Sequence, residues 1–87
     1  MKLILAVVRD IDTESIMNTL LPKGYQITRL ASTGGFLRRG STTLMIGVEE
    51  GSESEVIKLI KGAVGEPDLD QHRITMFVLD AIDFKQI

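Results

Sequence analysis

Six apolar residues in a row, Leu3 to Val8, stand between Lys2 and Arg9. In an extended strand successive side chains point to opposite faces. Leu3, Leu5 and Val7 therefore share one face, and Ile4, Ala6 and Val8 share the other. A strand that is apolar on both sides belongs inside a sheet that is covered on both sides. The run is far short of the roughly 20 residues a helix needs to cross a bilayer. Arg9-Asp10 follows too soon for a convincing secretory leader. The chain has 87 residues, enough for one domain spanning 1–87. A domain of that size buries only roughly 60% of the surface its unfolded chain exposes. Covering both faces of a sheet is a heavy demand on so short a chain.

The remaining segments define the sheet. After Asp10-Ile11-Asp12, the spacing of Ile16, Met17, Leu20 and Leu21 predicts a helix, with Asp12 or Thr13 as its cap and Glu14 in its first turn. Pro22-Lys23-Gly24 is a stop signal. Tyr25 to Ser32 reads as a second strand, with Tyr25, Ile27 and Arg29 on one side and Gln26, Thr28 and Leu30 on the other. Ser41 to Glu49 is a third strand, placing Leu44, Ile46 and Val48 opposite Thr43, Met45 and Gly47. Gly51-Ser52 opens a second helix, where Ser52 and Glu55 have capping-box spacing. Val56, Leu59, Ile60, Ala63 and Val64 form its apolar stripe. A polar link over 66–73 leads to a fourth strand over 73–80, apolar from Met76 to Leu79. The order βαββαβ fits an α+β ferredoxin-like sandwich: an antiparallel four-stranded sheet, order 4-1-3-2, with both helices on one face. The other face is then bare, and its apolar residues predict self-association.

Composition narrows the chemistry. Cysteine is absent, which excludes disulfides, thiolate metal sites and cysteine nucleophiles. His72 is the only histidine and has no ligand-spaced companion, so no metal site is expected. Residues 1–43 carry six basic and three acidic side chains, and residues 44–87 carry four and nine. This asymmetry permits a local anion site but does not make a nucleic-acid stripe. Neither a phosphate-binding loop nor a dinucleotide fingerprint is present. Asp10 and Asp12 read as helix-start residues, and Ser41 has no base at motif spacing. Nothing points to a catalytic residue or a cofactor, and the chain reads as a soluble, cytoplasmic non-enzyme.

The most unusual segment is Thr33-Gly34-Gly35-Phe36-Leu37-Arg38-Arg39-Gly40. Gly34-Gly35 suits either a close approach of backbone N–H groups to a ligand or a plain turn. Phe36 suits either stacking on a base or anchoring the segment on a neighbouring subunit. Arg38 and Arg39 suit either phosphate neutralisation or a solvated tip. For Arg29, a salt bridge is expected.

The stretch Leu30 to Thr43 resembles the signature of the cyclic-di-AMP receptor family, small signalling proteins similar to the nitrogen-regulatory P-II proteins. Leu3 to Asp10 and Thr75 to Gln86 resemble that family as well. The resemblance implies a P-II-like homotrimer that binds a small nucleotide, cyclic di-AMP among the candidates, in clefts between subunits. It also implies signalling to a downstream protein that the sequence does not identify. Carried over by position, Thr28 lies near the adenine, Gly35, Phe36 and Leu37 pack against the base, and Gly47 sits beside the nucleotide. Gln26 stands where an arginine is usual, and Ser41 where an asparagine is usual. The 66–73 link replaces a much longer glycine-rich loop. The candidate ligand-binding set is thus Gln26, Thr28, Gly35, Phe36, Leu37, Arg38, Ser41 and Gly47. Two other readings stand beside the sensor: a structural or interaction trimer that has lost its ligand, and a small enzyme subunit built on the same sheet.

Overall fold

A computed structural model describes residues 1–32, 40–65 and 74–81. Its elements are β1 (Lys2–Arg9), α1 (Asp10–Leu20), a 3-10 turn (Leu21–Lys23), β2 (Gln26–Ser32), β3 (Ser41–Val48), α2 (Glu53–Ala63) and β4 (Ile74–Asp80). The strands form one antiparallel sheet in the order β2-β3-β1-β4, with both helices on one face. This is the ferredoxin-like α+β topology that the alternation of segments predicts.

The register fixes which side chains share a face. Ile27, Ile46, Ile4 and Val78 lie in one row across the sheet, and Arg29, Leu44, Ala6 and Met76 in another. These rows face the helices. Ile4, Ala6, Val8, Leu44, Ile46 and Val48 meet Ile16 and Leu20 of α1 and Val56 and Ile60 of α2 in a fully buried core. Each large aliphatic side chain so buried contributes about 1.5–3 kcal/mol before the cost of ordering it. The α2 stripe matches its expected residues, with Leu59, Ala63 and Val64 packed at the margin of the core. On α1, Leu21 falls past the helix end and is exposed.

Local signals hold in outline and differ in detail. Gly24 terminates the 3-10 turn at φ 89°, its N–H donating to the Leu21 carbonyl at 3.0 Å. That left-handed geometry is one glycine adopts without strain. Neither expected cap forms. Helix α1 begins at Asp10, so Asp12 and Thr13 lie inside its first turn and are buried. The reason is that Asp10 gains an acceptor of its own: its N–H donates to the Gly40 carbonyl at 3.0 Å. At α2, Ser52 makes no side-chain cap bond. Its backbone (φ -98°, ψ -1°) lies outside the extended region from which a cap hydroxyl reaches back to the helix. The capping box with Glu55 is therefore absent. In β2 the register shifts between Arg29 and Ala31. Leu30 is the extra residue of a bulge and is exposed, not aligned with Gln26 and Thr28.

Candidate functional site

The face of the sheet away from the helices carries the described candidate residues. Its rows follow from the same register. Gln26, Gly47, Leu3 and Leu79 make one, and Thr28, Met45, Leu5 and Phe77 make the next. Each row changes character along its length. At the β2 end it is small and polar: an amide, a hydroxyl and a glycine. At the β4 end it is apolar, with Phe77 55% and Leu79 45% exposed. Leu3 and Leu5 between them are only half-buried.

Gln26, Thr28 and Gly47, which the sequence nominates separately, are thus brought together on one shelf. Gly47 matters here for space. A Cβ at this position would already touch the flexible tip of Met1, at 3.4 Å from its Cε, so a larger side chain would have to displace Met1 and occupy the shelf. A small hollow of about 30 Å³ opens there among Met1, Leu3, Gln26, Thr28, Met45 and Gly47. It adjoins a wider cleft of about 640 Å³ that curls around the end of the sheet between Lys23–Gln26 and Gly47–Glu50. Met1, Gln26 and Gly47 line both spaces. The wider cleft has one lysine, Lys23, against two carboxylates, Glu49 and Glu50. Met1, Lys23 and the two glutamates carry no motif. Only the strand register, which brings the ends of β2 and β3 side by side, shows that they belong to this site.

Ser41 does not join the shelf. It opens β3 opposite Arg9, at the other end of the strand from Gly47. Gly47 lies six residue steps along the strand from Ser41, about 20 Å. Gly35, Phe36, Leu37 and Arg38 lie outside the described residues, as does His72. Among the described residues, no group of three His, Asp or Glu side chains could hold a metal ion. Arg29 does not form the expected salt bridge with a described residue. It shares the helix-side face with Ile27, and its guanidinium donates toward Met17 Sδ at 3.7 Å.

The ion pairs among the described residues lie at the two ends of the sheet. At the same end of the sheet as the shelf, Lys2 of β1 donates to Asp80, its register partner on β4. That hydrogen bond, reinforced by the opposite charge, holds the Asp80 carboxyl below its usual range. The same hydrogen bond raises the Lys2 ammonium above its usual range. At the far end, Arg9 Nε donates to Asp12 Oδ2 at 2.7 Å, with both side chains nearly buried.

No helix among the described residues is long and apolar enough to cross a membrane. The model of a family described as cyclic-di-AMP receptor matches residues 1–69 of the chain. A solved structure from Pediococcus pentosaceus ATCC 25745, described as a functionally unknown protein, has the same fold with a TM-score of 0.76. The two sequences are 32% identical over 99% of this chain and 96% of that one.

Proposed function

Because the chain belongs to the cyclic-di-AMP receptor family, a family of non-catalytic ligand-binding domains, we propose that it is a P-II-like signalling protein that binds a small nucleotide at the boundary between subunits of a homotrimer. In this reading residues 1–87 are one P-II-like domain. It works in the cytoplasm and passes ligand occupancy to a downstream protein. The observation that carries the reading is an adjacency. The polar shelf of Gln26, Thr28 and Gly47 shares its rows with the exposed apolar half of the same sheet face. A second copy covering Phe77 and Leu79 removes that surface from water and leaves the shelf at the rim of the contact. Ser41, about 20 Å along an extended strand from Gly47, then serves a ligand on the shelf only from a neighbouring subunit. Gly35, Phe36 and Leu37 take the roles the resemblance gives them, and Arg38 the one its charge suits. Phe36 stacks on the base and Arg38 supplies charge to the phosphates.

The assembly and the ligand are tested together. Light scattering is expected to give three times the 9.6 kDa chain mass, and a stable monomer at micromolar concentration defeats the trimer. Calorimetric titration with cyclic di-AMP and with ATP is expected to give one specific site per chain. Affinity for cyclic di-AMP is expected to fall below that of long-loop relatives. Gln26 lacks the charge that makes an arginine donor worth roughly 1.5–3 kcal/mol, so Gln26→Arg is expected to tighten binding roughly tenfold or more. Phe36→Ala is expected to weaken binding while the trimer mass stays unchanged.

One observation favours the reading of a trimer that has lost its ligand. Glu49 and Glu50 set two carboxylates against a single lysine on the rim of the wider cleft, a poor neighbourhood for phosphate. A trimer that takes up neither nucleotide, and that loses stability on Phe36→Ala, supports that reading over the sensor.

A further inference from the structure

The turn that joins β1 to α1 holds two separate pieces of chain at once. On one side is the chain arriving at β3. Asp10 N–H donates to the Gly40 carbonyl at 3.0 Å, and the buried Thr42 hydroxyl donates to the Asp10 carboxylate. On the other side is the chain leaving α2. Gly65 N–H donates to Asp12 Oδ1 at 3.0 Å. The second oxygen of the same carboxylate takes Arg9 Nε at 2.7 Å, and the Thr13 hydroxyl closes back on the Arg9 carbonyl at 3.3 Å. Asp12 is 5% and Thr42 2% exposed. These bonds therefore operate where water competes little, and a charged acceptor makes them stronger than neutral ones. The two holds are two residues apart in the first turn of one helix. The positive end of that helix favours carboxylates at both places.

We propose that the turn Arg9–Thr13 couples the two ends it holds, so that the position of Gly40–Thr42 and the position of Gly65 are set together and not separately. The path is contiguous. The Thr42 hydroxyl fixes Asp10, Asp10 and Asp12 share the rigid first helical turn, and Asp12 in turn carries both Arg9 and Gly65. A shift of Gly40 relative to β1 moves the start of α1, and with it the carboxylate on which Gly65 hangs. Gly40 ends the glycine- and arginine-rich segment and Gly65 opens the 66–73 link, so the turn is a regulatory joint between the two connections at this end of the sheet. The proposal does not depend on nucleotide binding.

Amide hydrogen exchange by NMR on the full chain tests it. Thr42→Val removes the side-chain bond of one hold, and the reading is taken at the other, the Gly65 amide. Its exchange is expected to accelerate at least fivefold relative to the Ile46 amide in the central strand, a modest figure among couplings between protein sites. Reciprocally, Asp12→Asn is expected to accelerate exchange of the Asp10 amide by a similar factor, because coupling acts equally in both directions. If Thr42→Val lowers global stability enough for all amides to exchange together, Asp10→Ala removes the same side-chain bond from its half-buried partner and is read in the same way. A change of less than twofold at the distant amide in both directions, with normal loss at the near one, overturns the proposal.

Discussion

The two faces of the sheet are made of the same strands and nearly the same kinds of residue, yet they meet different fates. Ile4, Ala6 and Val8 point to the helices and are 0–1% exposed. Leu3, Leu5 and Val7 alternate with them and remain half-buried, while Phe77 and Leu79 beside them are largely exposed. Apolar content alone therefore does not determine burial within one chain; the supply of covering elements does. Two helices cover one face of four strands. The surplus on the other face is the physical ground for expecting a second copy there.

Damage to the covered face should have the largest effect. Ile60→Ala removes a side chain that is fully buried between α2 and the sheet. It is expected to cost about 2–5 kcal/mol in urea unfolding. A loss below 1 kcal/mol would mean that the helix layer is less closely packed than the fold describes. The equivalent change on the open face should act differently. Phe77→Asp is expected to leave the far-ultraviolet dichroism of the fold intact and to bring the mass in light scattering down to that of one chain. If the variant keeps the parent mass, the open face is not where copies meet.

Next comes the rim between the two surfaces. Gly47→Val is expected to push Met1 aside and fill the shelf, weakening nucleotide binding at least tenfold with the assembly unchanged, as calorimetry and light scattering would show together. Equal affinity in this variant would remove Gly47 from the site.

The smallest effect belongs to the Lys2–Asp80 pair, which lies at the exposed end of the sheet. Exposed pairs contribute little. The sign of their contribution is still testable. Asp80 is held below its ordinary value. Its share of stability is present above the unfolded carboxyl value, about 3.9, and is lost as pH falls through the lower folded value. Lys2 is raised. Its share is present below the unfolded lysine value, about 10.4, and is lost as pH rises through the higher folded one. Asp80→Asn is accordingly expected to make no resolvable difference to the melting midpoint at neutral pH and to flatten its acid limb slightly. An equally steep acid limb in the variant would assign it to other carboxylates.

The contrast between the faces was legible in the sequence because period-two alternation is a property of the backbone. Leu44, Ile46 and Val48 against Thr43, Met45 and Gly47 can be read without knowing the neighbours. The strand order followed because few topologies accommodate βαββαβ. The helix starts were less legible. Asp12 and Thr13 have the chemistry of caps, but the helix already begins at Asp10, whose N–H is met by the Gly40 carbonyl, 30 residues away in sequence. The buried Arg9–Asp12 pair was hidden for the same reason: an Arg and an Asp three residues apart look like surface charge until Gly65 arrives beside them. Of the candidate site, Gln26, Thr28 and Gly47 fell on one shelf. Family likeness, not spacing, had singled them out. Ser41 comes from the same family likeness yet lies at the opposite end of β3 from Gly47, because likeness records order along the chain and a strand turns order into distance.

The bulge at Leu30 has a consequence for how copies of this chain can stick together. β2 is an outer strand, and its free backbone groups would template another strand if they formed a straight, regular row. The shift between Arg29 and Ala31 interrupts that row partway along and twists what remains. An incoming strand could match one half of β2 but not the other, so ladder growth has no continuous edge to follow. Removing Leu30 would straighten the edge without turning its side chains, because Ala31 and Ser32 already pair with Thr43 and Thr42, as unbroken alternation from Arg29 opposite Leu44 requires. An incoming strand would then meet one continuous row along β2, the arrangement that favours open-ended stacking.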